Sequence, residues 1–195
     1  MKFKLRIIIW AILLALSFFS LFQKDRIQVA LGIRENVEGN ILNQKAPELK
    51  GLTWIDSVNS HYSIEDFRGK VVLIEFWSYT CGNATSTLPV VKKWYAKYRD
   101  LGFVTLGIHT PEGEEECLLE DLRREVENFE ISYPIAADND YRCWTLYGTQ
   151  YWPTFYLIDR NGIVRYVKVG EGGYWKTERM IRKLLGNSGG KWQLE

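Results

Sequence analysis

Apolar and polar positions fall into short, distinct blocks along most of this chain. "VVLIEFW" (Val71 to Trp77) is a near-continuous apolar run, as expected of a central strand covered on both faces. Behind it, Leu88, Val91, Trp94, Tyr95 and Tyr98 recur at helical spacing and predict a helix over roughly 84–99. "FVTLGI" (Phe103 to Ile108) predicts the next strand. "EEECLLEDLRREVENF" predicts a second helix, with Leu118, Leu122, Val126 and Phe129 on one stripe and acids in its first turn. "NDYRCWTLYG" reads as a short helix ending at Gly148. "TFYLID" and "IVRYVKV" read as strands joined by an "RNG" hairpin turn, and "YWKTERMIRKLLG" closes as an amphipathic helix capped by Gly186. Upstream, "NQKAPELKGLTW" (Asn43 to Trp54) and "SIEDFRGK" (Ser63 to Lys70) bracket an expected short hairpin.

The order is βαβα, a short helix, ββ and α. Alternating βα units predict a parallel core, to which the last hairpin adds an antiparallel edge. One α/β domain over residues 43–187 accounts for the pattern, with 188–195 as a tail and no internal repeat.

The first residues follow a different rule. "MKFKLR" is basic, and "IIIWAILLALSFFSLF" (Ile7 to Phe22) carries no charge. As a helix it would span about 24 Å, somewhat short of a ~30 Å hydrocarbon core, and Leu5 with a snorkelling Arg6 would extend it. Residues 1–26 are therefore expected to be a signal anchor, with 27–42 as a tether. The alternative is a cleaved signal peptide cut near "ALS", which would leave "FFSLF" exposed on the mature chain. Lys2, Lys4 and Arg6 place the amino terminus in the cytoplasm, although Lys24 and Arg26 weaken the asymmetry. The body of the chain would then lie outside the cytoplasm, where disulfides persist.

Composition narrows the function classes. Lys plus Arg (25) nearly cancels Asp plus Glu (24), which argues against nucleic acid as a partner. Three cysteines are an odd number, so any intrachain pair leaves one thiol over. Cys81 stands at an expected strand-to-helix junction, "FWSYTCGNATSTLP". Helix N-terminal N–H groups favour an anion, so its thiolate is expected to be stabilised and its pKa lowered. The bland alternative is a small buried residue.

"VVLIEFW", Cys81, Pro89 and the later "QYWPTFYLID" together resemble the thioredoxin fold. The lead-in "KAPEL…SIEDFRGKVVLIEFW" resembles the extracytoplasmic redoxins that include TlpA-like and AhpC/TSA-like thiol–disulfide oxidoreductases. "GIHTPE", "YPIAADNDY", "YGTQYWPTFYLIDRNG" and "GEGGYWKTERMI" resemble a subgroup fused in some proteins to membrane electron-transfer domains. The likeness runs from about Asn43 to Leu185. It implies a central mixed sheet flanked by helices, here with an N-terminal hairpin extension and membrane helix. It also implies that Cys81 is the attacking sulfur, that Pro153 follows a cis peptide bond, and that Glu75 is the buried acid beneath the site. Trp77, Tyr79, Tyr151 and Trp152 would surround Cys81, as a substrate-binding rim or as core.

One departure stands out. The resemblance puts a resolving cysteine at the position of Ala84, and it is missing. A dithiol releases its substrate when the second thiolate attacks the mixed disulfide, so Cys81 would depend on an external thiol or on Cys117. Cys117 is expected in the first turn of the second helix, partly exposed, among acids that discourage its thiolate. Cys143 reads as core. His109 ends a central strand, where it would approach Cys81 or simply belong to the loop. No cofactor or metal is expected, since the cysteines and histidines lack paired ligand spacing. The expected function is membrane-tethered thiol–disulfide exchange with protein or small-molecule thiols and disulfides, with a membrane electron donor. The alternatives are a thiol peroxidase, for which one thiol suffices, and a non-catalytic binding module. The peroxidase patterns fit poorly, because Ile74 stands at the proline position and Thr85 falls one residue late.

Overall fold

The computed structural model describes residues 41–55 and 62–186. The expected anchor (1–26), nearly all of the tether (27–42) and the tail (188–195) lie outside these residues. Among the described residues no helix is long and apolar enough to cross a membrane.

Strand β2 (Val71–Trp77) organises the sheet, and every one of its side chains is buried. Strand β1 is Thr53–Trp54, β3 is Phe103–His109, β4 is Ile135–Ala137, β5 is Thr154–Ile158 and β6 is Val164–Val169. They lie side by side in the order β1-β4-β3-β2-β5-β6. The β2, β3 and β4 strands run parallel, whereas β5, β6 and β1 pair antiparallel with their neighbours. The expected mixed sheet is therefore present, with a second antiparallel edge at β1. Neither β1 nor β4 was legible, because two- and three-residue strands carry too little periodicity to register.

Among the described residues the expected N-terminal hairpin is not present. Thr53 and Trp54 pair with Ala137 and Ala136, and Ile64–Phe67 is a 3₁₀ turn. Asp66 explains the turn: its carboxylate accepts from the backbone N–H and hydroxyl of Ser63, closing a capping box.

The expected first helix is two helices, α1 (Gly82–Thr85) and α2 (Leu88–Tyr98). Pro89 accounts for the break, since it has no N–H to donate to the Thr85 carbonyl one turn earlier. Within α2, Leu88, Val91, Trp94 and Tyr98 are buried against the sheet as the spacing predicts.

The second expected helix also divides, into a 3₁₀ turn (Glu114–Glu116) and α3 (Leu119–Asn128). Leu118 does not belong to the apolar stripe: it caps α3 and is 64% exposed. Helices α4 (Arg142–Tyr147) and α5 (Tyr174–Leu184) lie where the sequence places them.

Gly107 illustrates how tightly β3 is packed. A Cβ there would stand 2.3 Å from Ile135 Cδ1 and 3.2 Å from Trp77 Nε1. A larger residue would require the Ile135 side chain to move and would crowd the Trp77 indole.

Candidate active site

The carboxyl ends of β2 and β3, the head of α1 and the turn before β5 converge on Cys81. Its sulfur is partly exposed and sits 4.0 Å from the Trp152 carbonyl oxygen. The Trp152–Pro153 peptide bond is cis. The Trp152 indole N–H donates to the Thr110 carbonyl at 2.9 Å, so one residue ties the Cys81 rim to the loop after β3.

The expected lowering of the Cys81 pKa is not found. Burial pushes the thiol above its usual range, and the Glu112 carboxylate pushes it further. The Ala84 and Asn83 backbone N–H groups pull the other way without offsetting this. Helix α1 is only four residues long and cannot build the dipole of a longer helix.

Glu75 is wholly buried below this junction. Its Oε1 accepts from the Thr87 hydroxyl at 2.7 Å and its Oε2 from the Tyr133 phenol at 3.2 Å. Desolvation raises its pKa to about 7, and the two hydroxyl donors oppose that rise. The same Thr87 hydroxyl lies 2.6 Å from the Ala84 carbonyl oxygen. A hydroxyl has one proton, so it cannot donate to both acceptors at once. When Glu75 is protonated, its own O–H donates to Thr87 Oγ1 and Thr87 donates to Ala84. When Glu75 ionises, the Thr87 hydroxyl is drawn to the carboxylate and the Ala84 carbonyl keeps the Thr87 backbone N–H at 3.0 Å but loses the hydroxyl. Protonation of Glu75 is thereby coupled to the turn that carries Cys81.

Ala84 itself is buried in the main core. It contributes a methyl group where the resemblance implies a second sulfur.

A second buried carboxylate, Glu116, binds two loops together. It accepts from Ser78 Oγ at 2.8 Å and from the Thr80 hydroxyl, and it lies 3.1 Å from His109 Nε2. Tyr79 stacks on His109 with ring centres 4.9 Å apart, and its phenol donates to the Glu115 carbonyl at 3.5 Å. Burial lowers the His109 pKa, against the pull of Glu116. His109 Nδ1 is buried without a hydrogen-bond partner, which favours a neutral ring donating Nε2–H to the carboxylate. His109 thus serves Glu116 and Tyr79 rather than the Cys81 thiol.

The remaining expected residues separate clearly. Trp77 is fully buried and belongs to the core, not to a rim. Tyr79 is partly exposed but committed to His109, whereas Trp152 borders Cys81 and packs against Trp144 with ring centres 4.3 Å apart. Cys117 follows the 3₁₀ turn instead of opening a helix, and it is partly exposed. Its thiol is raised by burial and by Glu114, Glu116 and Glu115. Cys143 is core. All three described cysteines are free.

Four site residues had no sequence signal that singled them out. Thr87 and Tyr133 look like ordinary polar positions, and Glu112 and Glu116 fall in an acidic stretch that reads as a solvated face. Only folding separates exposed Glu112 from buried Glu116.

Similar proteins share this framework. Over 145 residues the chain is 46% identical to protein DipZ of Mycobacterium bovis, covering 73% of this chain and 21% of DipZ. The chain therefore spans about a fifth of that relative's length. It is 28% identical over 146 residues to the thiol-disulfide oxidoreductase YkuV of Bacillus subtilis, covering 74% of this chain and 96% of YkuV. Among solved structures, a thioredoxin-like superfamily protein superimposes with a TM-score of 0.68 at 28% identity, over 73% of this chain and 96% of that one. The AhpC/TSA family model matches residues 42–167, and with a thioredoxin-like fold around Cys81 the chain belongs to that family.

Proposed function

We propose that this protein is a membrane-tethered, extracytoplasmic thiol–disulfide oxidoreductase whose single attacking thiol is Cys81. The observation that carries the reading is Cys81 at the head of α1, beside the Trp152 carbonyl and the cis-Pro153 loop. Pro153 shapes the rim that a partner segment meets, Trp152 offers its carbonyl and ring, and Glu75 holds a proton beneath the site.

In the first step the Cys81 thiolate attacks a partner disulfide. One S–S bond forms between Cys81 and the partner, the original S–S bond breaks, and the released sulfur leaves as a thiolate that takes up a proton. Ala84 cannot reverse this, so a second thiolate from outside, or Cys117, attacks the mixed disulfide. Cys117 is a fitting candidate because Glu116, its neighbour, is bonded to Ser78 and Thr80 just before Cys81. Partners are protein or small-molecule thiols and disulfides, with electrons delivered by a membrane donor. The basic and apolar first 26 residues support the anchoring.

The raised Cys81 thiol favours a second reading, a binding module that retains the fold without redox turnover. One experiment separates the two. The full chain is incubated with a disulfide-bonded protein, quenched in acid and mapped by mass spectrometry. A partner adduct on Cys81, absent in Cys81→Ser and longer-lived in Cys117→Ser, supports exchange with internal resolution. Binding that is equal in Cys81→Ser, with no adduct, would overturn the redox function.

A further inference from the structure

We propose that the outward face of α5 is a membrane-docking surface that lays the domain on an anionic bilayer. The inference rests on the membrane tethering proposed above and deepens it, by naming the face that meets the membrane.

Helix α5 segregates its residues sharply. Thr177 and Ile181 mark its buried side. At 3.6 residues per turn, Trp175, Lys176, Arg179, Arg182 and Lys183 fall on the opposite side, within an arc of roughly 120°. Trp175 is 62% exposed, and Lys176 Nζ and Arg179 Cζ stand 5.5 and 5.6 Å from its ring centre. Arg182 is half-buried, and the other three cations are exposed. Among the described residues none of these cations forms an ion pair. No acid shares the arc. Glu178, at its border, is already held by Lys97 at 2.8 Å and by the Tyr98 phenol at 2.6 Å.

A merely solvated helix mixes its charges, as α3 does, where Arg124 pairs with Asp121 at 2.6 Å. In a chain with 25 basic and 24 acidic residues, an arc of cations around one tryptophan is a segregated surface. Cations attract anionic headgroups, and an exposed indole prefers the headgroup level of a bilayer.

The two ends of α5 favour a bilayer over a soluble acidic partner. Arg160 donates from Nη2 to the carbonyl of Leu185, just after the helix, at 3.3 Å. The same β5–β6 connection receives the chain arriving from the expected anchor. Ala46 donates its N–H to the Gly162 carbonyl at 2.9 Å, and Asn43 to the Val164 carbonyl at 2.7 Å. The carboxyl end of α5 therefore stands where the tether enters the domain. A tether makes contact with its own membrane intramolecular, so a weak attraction suffices. At the other end Glu171, shortly before α5, accepts from the Ser86 hydroxyl at 2.8 Å, next to the helix that Cys81 heads. Laid flat, α5 connects the tether end to the Cys81 end. It keeps the attacking sulfur near the surface from which a membrane donor delivers electrons.

In the test the full chain is reconstituted into vesicles of phosphatidylcholine, alone or with about 30% phosphatidylglycerol. Accessible lysines are acetylated by a neutral reagent and quantified by peptide mass, with exposed Lys50 as the internal reference. At low salt, labelling of Lys176 and Lys183 should fall by about threefold or more in the anionic vesicles relative to the neutral ones. Half-molar salt should restore it. Arg179→Gln combined with Arg182→Gln should also restore it, with adduct formation at Cys81 on a soluble disulfide unchanged. Equal labelling in both vesicles, or protection that survives both salt and the double substitution, would overturn the docking face and leave the anchor intact. Flotation with neutral vesicles in alkaline carbonate tests the anchor separately. A chain stripped from them by carbonate would overturn the tethering, and this placement with it.

Discussion

Replacing Glu75 by Gln should abolish a pH dependence of stability that the native chain carries between pH 5 and 8. The native carboxyl is buried with a pKa of about 7, against an ordinary value of 4.5. Because the folded state holds this proton more tightly than the unfolded chain, the associated stability is full below pH 4.5. It is lost as the pH rises toward 7 and stays lost above it. A raised carboxyl behaves oppositely to a salt-bridged one. The full difference corresponds to roughly 3 kcal/mol, of which about 2.5 kcal/mol falls between pH 5 and pH 8. Urea unfolding of both chains at pH 5, 6, 7 and 8 measures it, because subtracting the two curves cancels every other titrating group. Glu75→Gln should therefore gain on the native chain by about 2.5 kcal/mol across this interval. Glutamine can still accept at its oxygen and donate its amide to a second hydroxyl, so Thr87 and Tyr133 both retain partners. A difference curve that stays flat from pH 5 to pH 8 would refute the raised carboxyl and with it the proton held under Cys81.

Tyr133→Phe removes a donor that favours ionised Glu75, so the same stability loss should shift to higher pH, visible in the same urea series. Ala84→Cys places a second thiol three residues after Cys81, at the buried position above Thr87 and Glu75. Mild oxidation should then consume two thiols by Ellman titration, and the reduced variant should reduce one equivalent of a protein disulfide in a single turnover without added thiol, closing its own disulfide. Failure of both would show that α1 cannot bring the two sulfurs together. Glu116→Ala leaves Ser78, Thr80 and His109 without their shared acceptor and should cost roughly 3 kcal/mol in urea unfolding. A cost below about 0.5 kcal/mol would mean that the two loops are held together by other contacts.

Periodicity along the chain was enough to read the strands long enough to show it and the four longer helical segments. Burial on both faces writes a continuous apolar run such as Val71 to Trp77, and one-sided burial writes the stripe of Leu88, Val91, Trp94 and Tyr98. Tertiary structure decided what periodicity does not encode. The two-residue β1 strand is held by its partner β4, not by its own propensity. Glu112 and Glu116 are chemically identical and four residues apart. One is exposed, and the other is buried because Ser78, Thr80 and His109 converge on it from other elements. Cys81 is the sharpest case. Its place at a strand–helix junction suggested a stabilised thiolate, yet burial and a carboxylate from a loop about thirty residues away outweigh two backbone N–H groups. Local sequence sets which groups are present. The electrostatic balance at an atom depends on everything packed around it, and that is known only once the chain has folded.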